Sequence, residues 1–211
     1  MRMSVEVATE VVTYLSVVSG IAPVLQMYKS GDTRNVPFLF FVIGELLASS
    51  CISYGLLTEN PVILRINLVV LFFNTSYILV YLHVVKSKSA ALRQIFICLA
   101  VIVSILVYLH YFSTSKQQSI AIFGTILLIG SSVLNVTPAL DVWECIKQKT
   151  AAGISIPMMF AYLICCGLWL IYGLALKDFN IYAPNVIGLA THGSKAVAIL
   201  MYGRQSHLHK D

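Results

Sequence analysis

Apolar residues fall in long runs, and short polar connections separate them. Seven runs can be drawn, at 8–28, 38–57, 62–84, 93–112, 119–141, 154–175 and 180–203. Each is long enough to cross a hydrocarbon core of about 30 Å as an α-helix. Helix is the expected state, because a lone segment in lipid must satisfy its own backbone N–H and C=O groups. No connection is long enough to fold as a soluble domain. Composition agrees: 58% of residues are hydrophobic and 11% are charged, and mean hydropathy is +0.85. The pattern predicts an all-α membrane protein with seven transmembrane helices.

Charge refines this into a topology. The net charge of +5 does not point to nucleic acid, because the basic residues sit between the spans. Nine of them fall on one side: Lys29, Arg34, Lys86, Lys88, Arg93, Lys147, Lys149, Arg204 and Lys210. Four fall on the other: Arg2, Arg65, Lys116 and Lys177. The richer side is expected to be cytosolic. This puts the N-terminus outside or in a lumen and the C-terminus, with the short tail 204–211, in the cytosol. Residues 1–10 carry Glu6 and Glu10 and no basic cluster, so the first span is expected to serve as the insertion signal. The five cysteines form no disulfide framework. The sequons at Asn74 and Asn135 lie inside predicted spans, out of reach of glycosylation.

The chain also repeats itself. One copy has Pro23, then Tyr54-Gly55, then Asn67; the other has Pro138, then Tyr172-Gly173, then Asn185. The copies occupy 8–84 and 119–203, and 93–112 is a linker helix. A three-helix unit alone would insert its second copy inverted. The single linker restores the orientation, so two parallel repeats are expected, arranged three plus one plus three.

Three segments of each copy carry a family resemblance. The first copy reads SGIAPVLQMYKSGDTRNVPFLFF, CISYGLL and RINLVVLFFNTSYILVYLH. The second reads LNVTPALDVWECIKQKTAAGISIP, LWLIYGL and APNVIGLATHGSKAVAILMY. This ordered, duplicated set resembles the SWEET (MtN3/saliva) sugar transporters over nearly the whole chain. The resemblance implies downhill, bidirectional transport of mono- or disaccharides by alternating access. It also implies homo-oligomers and a place in the plasma membrane or the Golgi membrane. Two departures mark a divergent animal-type member. The family has Trp three residues before Tyr in both copies; Trp169 keeps it and Cys51 does not. The family proline early in the second helix is matched by Pro157, whereas the first copy has Phe40 there, with Pro37 about three residues early.

Sugar recognition needs neutral polar groups for hydroxyls and an aromatic face for the ring. Asn67 and Asn185 occupy matching places, and an amide offers two donors and an acceptor. Alone, each could merely tie two helices together; the symmetric pair favours substrate contact. Trp169 offers a stacking face and an indole donor. Cys51 is its counterpart, and Asn135 sits one turn before Pro138. Substrate is expected between helices 1–3 and 5–7. Pro23, Pro138 and Pro157, inside predicted helices, are candidate hinges. Pro37, Pro61 and Pro184 are expected near helix starts.

Ionisable groups in spans usually face a cavity or a partner. Glu45 reads first as a protonated, hydrogen-bonded group or as pore polarity, with proton coupling as the alternative. Lys195 can snorkel, or pair with Asp141 as a cytosolic gate. His192 shares the Asn185 face of its helix and reads as a packing residue, whereas His83 and His110 read as interfacial anchors. No metal site, cofactor or nucleic-acid partner is implied. Neither a nucleophile with a base nor a phosphate loop is present to suggest an enzyme. A seven-helix receptor would explain neither the repeat nor the short loops. A family member that has lost transport and acts as a scaffold for membrane partners remains the alternative.

Overall fold

A computed structural model describes residues 2–34, 36, 38–113 and 115–203. Pro37, Arg204, Lys210 and the tail lie outside the described residues, as do the side chains of Arg2 and His110. Among the described residues the regular structure is entirely helical. The segments are α1 (Arg2–Ser19), α2 (Ile21–Ser30), α3 (Phe38–Leu57), α4 (Pro61–Val84), α5 (Ser89–Phe112), α6 (Lys116–Val136), α7 (Ala139–Gln148), α8 (Ile156–Leu176) and α9 (Phe179–Tyr202). Taking α1 with α2, and α6 with α7, as broken spans gives seven membrane-length stretches. Among the described residues, six are long and apolar enough to cross a bilayer. The seventh, α9, has the length at 24 residues but carries Asn185, Thr191, His192, Ser194 and Lys195 along it.

The breaks fall beside prolines, as the missing N–H dictates. Between α1 and α2 the helix tightens at Gly20, whose N–H bonds Val17 O at 3.1 Å, and Pro23 follows within α2. Between α6 and α7 the chain turns through Thr137 and Pro138, and the Leu140 N–H reaches Thr137 O at 3.0 Å. Pro157 differs from its expected place. It sits in the first turn of α8, because Ser155 is extended at ψ 110° and the helix opens only after it. Proline costs nothing there, since first-turn N–H groups have no helical acceptor. Pro61 also opens its helix. Pro184 does the reverse: it lies inside α9, beyond the first turn.

Internal contacts divide the chain into two compact units, Thr13–Leu127 in one and Met1–Val12 with Leu128–Asp211 in the other. In the first, α3 packs along α4, and α2 and α5 flank the pair. Tyr77, Val24 and Met27 form one core and Phe38, Val42, Ala91 and Cys98 another. In the second, α8 packs along α9 and α7 lies against α9 around Cys145, Ala151 and Ala198. The turn after α2 closes on Gly31, at φ 66°, and on the exposed Asp32–Arg34 pair at 2.7 Å. Hydrogen bonds from the Arg34 side chain and backbone N–H hold the Asp32 carboxyl down to about 2.

Candidate functional site

Each unit builds the same corner from two neighbouring helices. In the first, Tyr54 is buried and Gly55 meets the start of α4. A Cβ on Gly55 would stand 3.2 Å from Leu64 N. The Asn60 N–H donates to Gly55 O at 2.8 Å, and Asn60 Oδ1 caps α4 by accepting from Val62 N and Ile63 N. In the second unit Tyr172 is buried, and a Cβ on Gly173 would stand 2.7 Å from Tyr182 N. The Asp178 N–H donates to Gly173 O at 2.9 Å, and Asp178 Oδ1 accepts from Asn180 N. Glu59 and Lys177 precede these caps in the same left-handed conformation, φ 55°. The Tyr-Gly motif thus has a mechanical meaning: glycine lets two helices close, which drives association where lipid supplies no hydrophobic force.

These corners set the two asparagines. Asn67 Nδ2 donates to Ile63 O at 2.8 Å, and Asn185 Nδ2 donates to Ile181 O at 2.7 Å. Both are half-buried. The bond fixes each amide plane and occupies one N–H. By amide chemistry, the carbonyl oxygen and the second N–H are what each side chain can offer a hydroxyl.

The other candidates spread differently. Trp169 is half-buried and meets Tyr172 edge-on, with centroids 5.8 Å apart. Cys51, its counterpart, is buried as a free thiol. Asn135 reaches across to α9, where its Nδ2 donates to Pro184 O at 2.9 Å and its Oδ1 faces Cys166 Sγ at 4.0 Å. Gly188 gives this contact its closeness, since a Cβ there would stand 2.6 Å from Cys166 Sγ. Lys195 Nζ pairs with Asp141 Oδ2 at 2.5 Å, the lysine 10% and the aspartate 57% exposed. His83 stacks near Tyr28, centroids 6.0 Å apart.

Several contacts escaped the sequence. In the first unit Tyr77 on α4 donates to Val17 O at 2.8 Å, beside the Gly20 break. Counting from the matched asparagines, Lys195 is its counterpart; each copy thus ties its third helix to its first by different chemistry. Thr75 Oγ1 donates to Glu45 Oε1 at 2.7 Å. In the second unit Tyr162 stacks on buried His192, centroids 5.0 Å apart and planes at 3°. A cavity of about 130 Å³ is lined by Ser49, Ser50, Ser53 and Phe123, all in the first unit.

The fold and its repeated corner define a multi-pass integral membrane protein. The profile of the family described as "Sugar efflux transporter for intercellular exchange" matches twice, over residues 3–89 and 121–207. The chain belongs to this family, the one its motifs resemble. It is 28% identical over 178 residues to "Sugar transporter SWEET1" of Mus musculus, covering 82% of this chain and 78% of that protein. To "Sugar transporter SWEET1" of Drosophila pseudoobscura pseudoobscura it is 28% identical over 165 residues, covering 78% and 72%. To "Bidirectional sugar transporter SWEET12" of Oryza sativa subsp. japonica it is 22% identical over 202 residues, covering 94% and 67%. The fold matches "The 3.7 A resolution structure of a eukaryotic SWEET transporter" with a TM-score of 0.83, covering 97% of each chain at 17% identity. The animal-type resemblance and the seven-helix fold hold.

Proposed function

We propose that the protein is a bidirectional sugar facilitator, moving mono- or disaccharides down their gradient by alternating access. The observation that carries this is the matched pair Asn67 and Asn185, each amide fixed by the same backbone bond in a copy of the same corner. Preoriented amides lower the ordering cost of taking a hydroxyl. Trp169 supplies an aromatic face for the sugar ring, Cys51 leaves room where a second ring would stand, and Asn135 lies near. The helix breaks beside Pro23 and Pro138 are the pivots of the cycle. With its proline in the first turn of α8, Pro157 contributes rigidity to a helix start instead of a bend. Asp141 and Lys195, an ion pair within the second unit, form the cytosolic gate contact in this reading.

The membrane is the plasma membrane or the Golgi, with the N-terminus outside or lumenal and the C-terminus cytosolic, as the distribution of basic residues directs. The working form is a homo-oligomer. Sugar uptake into liposomes holding the purified protein tests the reading: a facilitator gives saturable uptake that stops when the two sides are equal.

A further inference from the structure

Glu45 is an ionisable group well inside α3, and its two oxygens are treated differently. Oε1 accepts from Thr75 Oγ1 at 2.7 Å. Oε2 is buried and has no hydrogen-bond partner among the described residues. The neighbours do not neutralise it. From α4 come Thr75 and Asn74, the latter 2.6 Å from where a Cβ on Gly44 would stand. From α5 comes the Cys98 thiol. Among the described residues, no Lys, Arg or His faces the carboxyl.

A carboxylate with one hydrogen bond and no cation is costly inside a membrane. The neutral acid needs its proton on the oxygen that is not already accepting strongly, which is Oε2. That proton finds no acceptor among the described residues, which leaves water or a substrate hydroxyl to receive it.

The second copy places a different group at the same level. Counted from the matched Tyr-Gly and Asn positions, Gly44 and Glu45 correspond to Tyr162 and Leu163, and Asn74 and Thr75 to His192 and Gly193. No carboxyl stands at this level of the second copy. His192 does, buried, with Nδ1 unpartnered. Each copy therefore holds one titratable side chain with an open polar atom where its second and third helices cross.

We propose that Glu45 is a proton-binding site that loads at Oε2 from the aqueous phase and makes sugar transport pH-dependent. Its transport consequence rests on the facilitator reading; the proton site itself does not. The test uses the full chain in liposomes, with E45Q, T75V and H192N, each checked for folding by size-exclusion chromatography and circular dichroism. Infrared difference spectra between about pH 5 and about pH 8 report carboxyl protonation directly, and glucose and sucrose uptake are followed over the same range. The wild type and H192N are expected to show a protonated-carboxyl band that titrates, with uptake changing by up to about tenfold per pH unit where one proton is linked. E45Q is expected to lose that band and flatten the profile, and T75V to displace its midpoint. A band that survives E45Q overturns the proposal, as does an unchanged midpoint in T75V should E45Q not fold. Flattening by H192N instead of E45Q moves the site to the second copy and overturns it too. A titrating Glu45 band with no sugar uptake at any pH would sink the facilitator reading and leave the proton site standing.

Discussion

Asn135 donates a 2.9 Å hydrogen bond from Nδ2 to the carbonyl oxygen of Pro184, joining α6 to α9 across 49 positions of sequence. A bond of this kind inside a membrane protein contributes about 0.5–2 kcal/mol. Asn135→Ala is expected to lower unfolding stability in detergent by that amount. Gly188 permits the approach, so Gly188→Ala forces a Cβ against Cys166 Sγ and costs about 1–3 kcal/mol. Adding Cys166→Ala should recover most of the loss. Strict additivity of the two substitutions would show that the contact is not what limits the space.

Gly55 and Gly173 hold corresponding corners, but the second is tighter. An added Cβ would lie 3.2 Å from Leu64 N in the first and 2.7 Å from Tyr182 N in the second. Backbone cannot swing aside as a side chain can. Gly173→Ala should therefore be the more damaging, by about 1 kcal/mol or more. Thermal unfolding of the two purified variants decides it, and equal losses would contradict the geometry.

The Asp141–Lys195 pair is asymmetric, with the lysine nearly buried and the aspartate largely open to solvent. Taking away Asp141 strands a buried cation; taking away Lys195 leaves a carboxylate that water can still reach. Asp141→Asn is expected to cost about 1–3 kcal/mol, and Lys195→Met less. The double variant should be more stable than Asp141→Asn alone. In transport assays, a gate role predicts faster opening in the double variant, read as a raised exchange rate. Unchanged transport and expression would reject the gate.

Much of this was legible in the sequence for a physical reason. Lipid forces membrane spans into helices, so the spans could be read from their apolar length. The Tyr-Gly and Asn motifs could be matched because each copy needs the same close corner. The helix starts were less visible. An apolar run that opens at residue 154 puts Pro157 inside a helix, whereas Ser155 is extended and postpones the start. Pro184 inside α9 has its carbonyl taken by a residue from a distant helix, and no sequence period encodes such a bond. The Tyr162–His192 stack was hidden for a similar reason. Its two rings lie on different helices, and only α9's half of the face could be anticipated from the spacing of Asn185 and His192.

Glucose and disaccharide uptake into liposomes containing the purified protein, with Asn67→Ala and Asn185→Ala measured alongside, decides whether this protein carries sugar through the paired asparagines. A facilitator gives saturable uptake that runs only down the gradient. Both variants should lose at least about tenfold in rate, since each removes an amide placed to bond the sugar. Folded protein that carries no sugar would rule out a facilitator, and variants that transport like the wild type would remove the asparagines from the site.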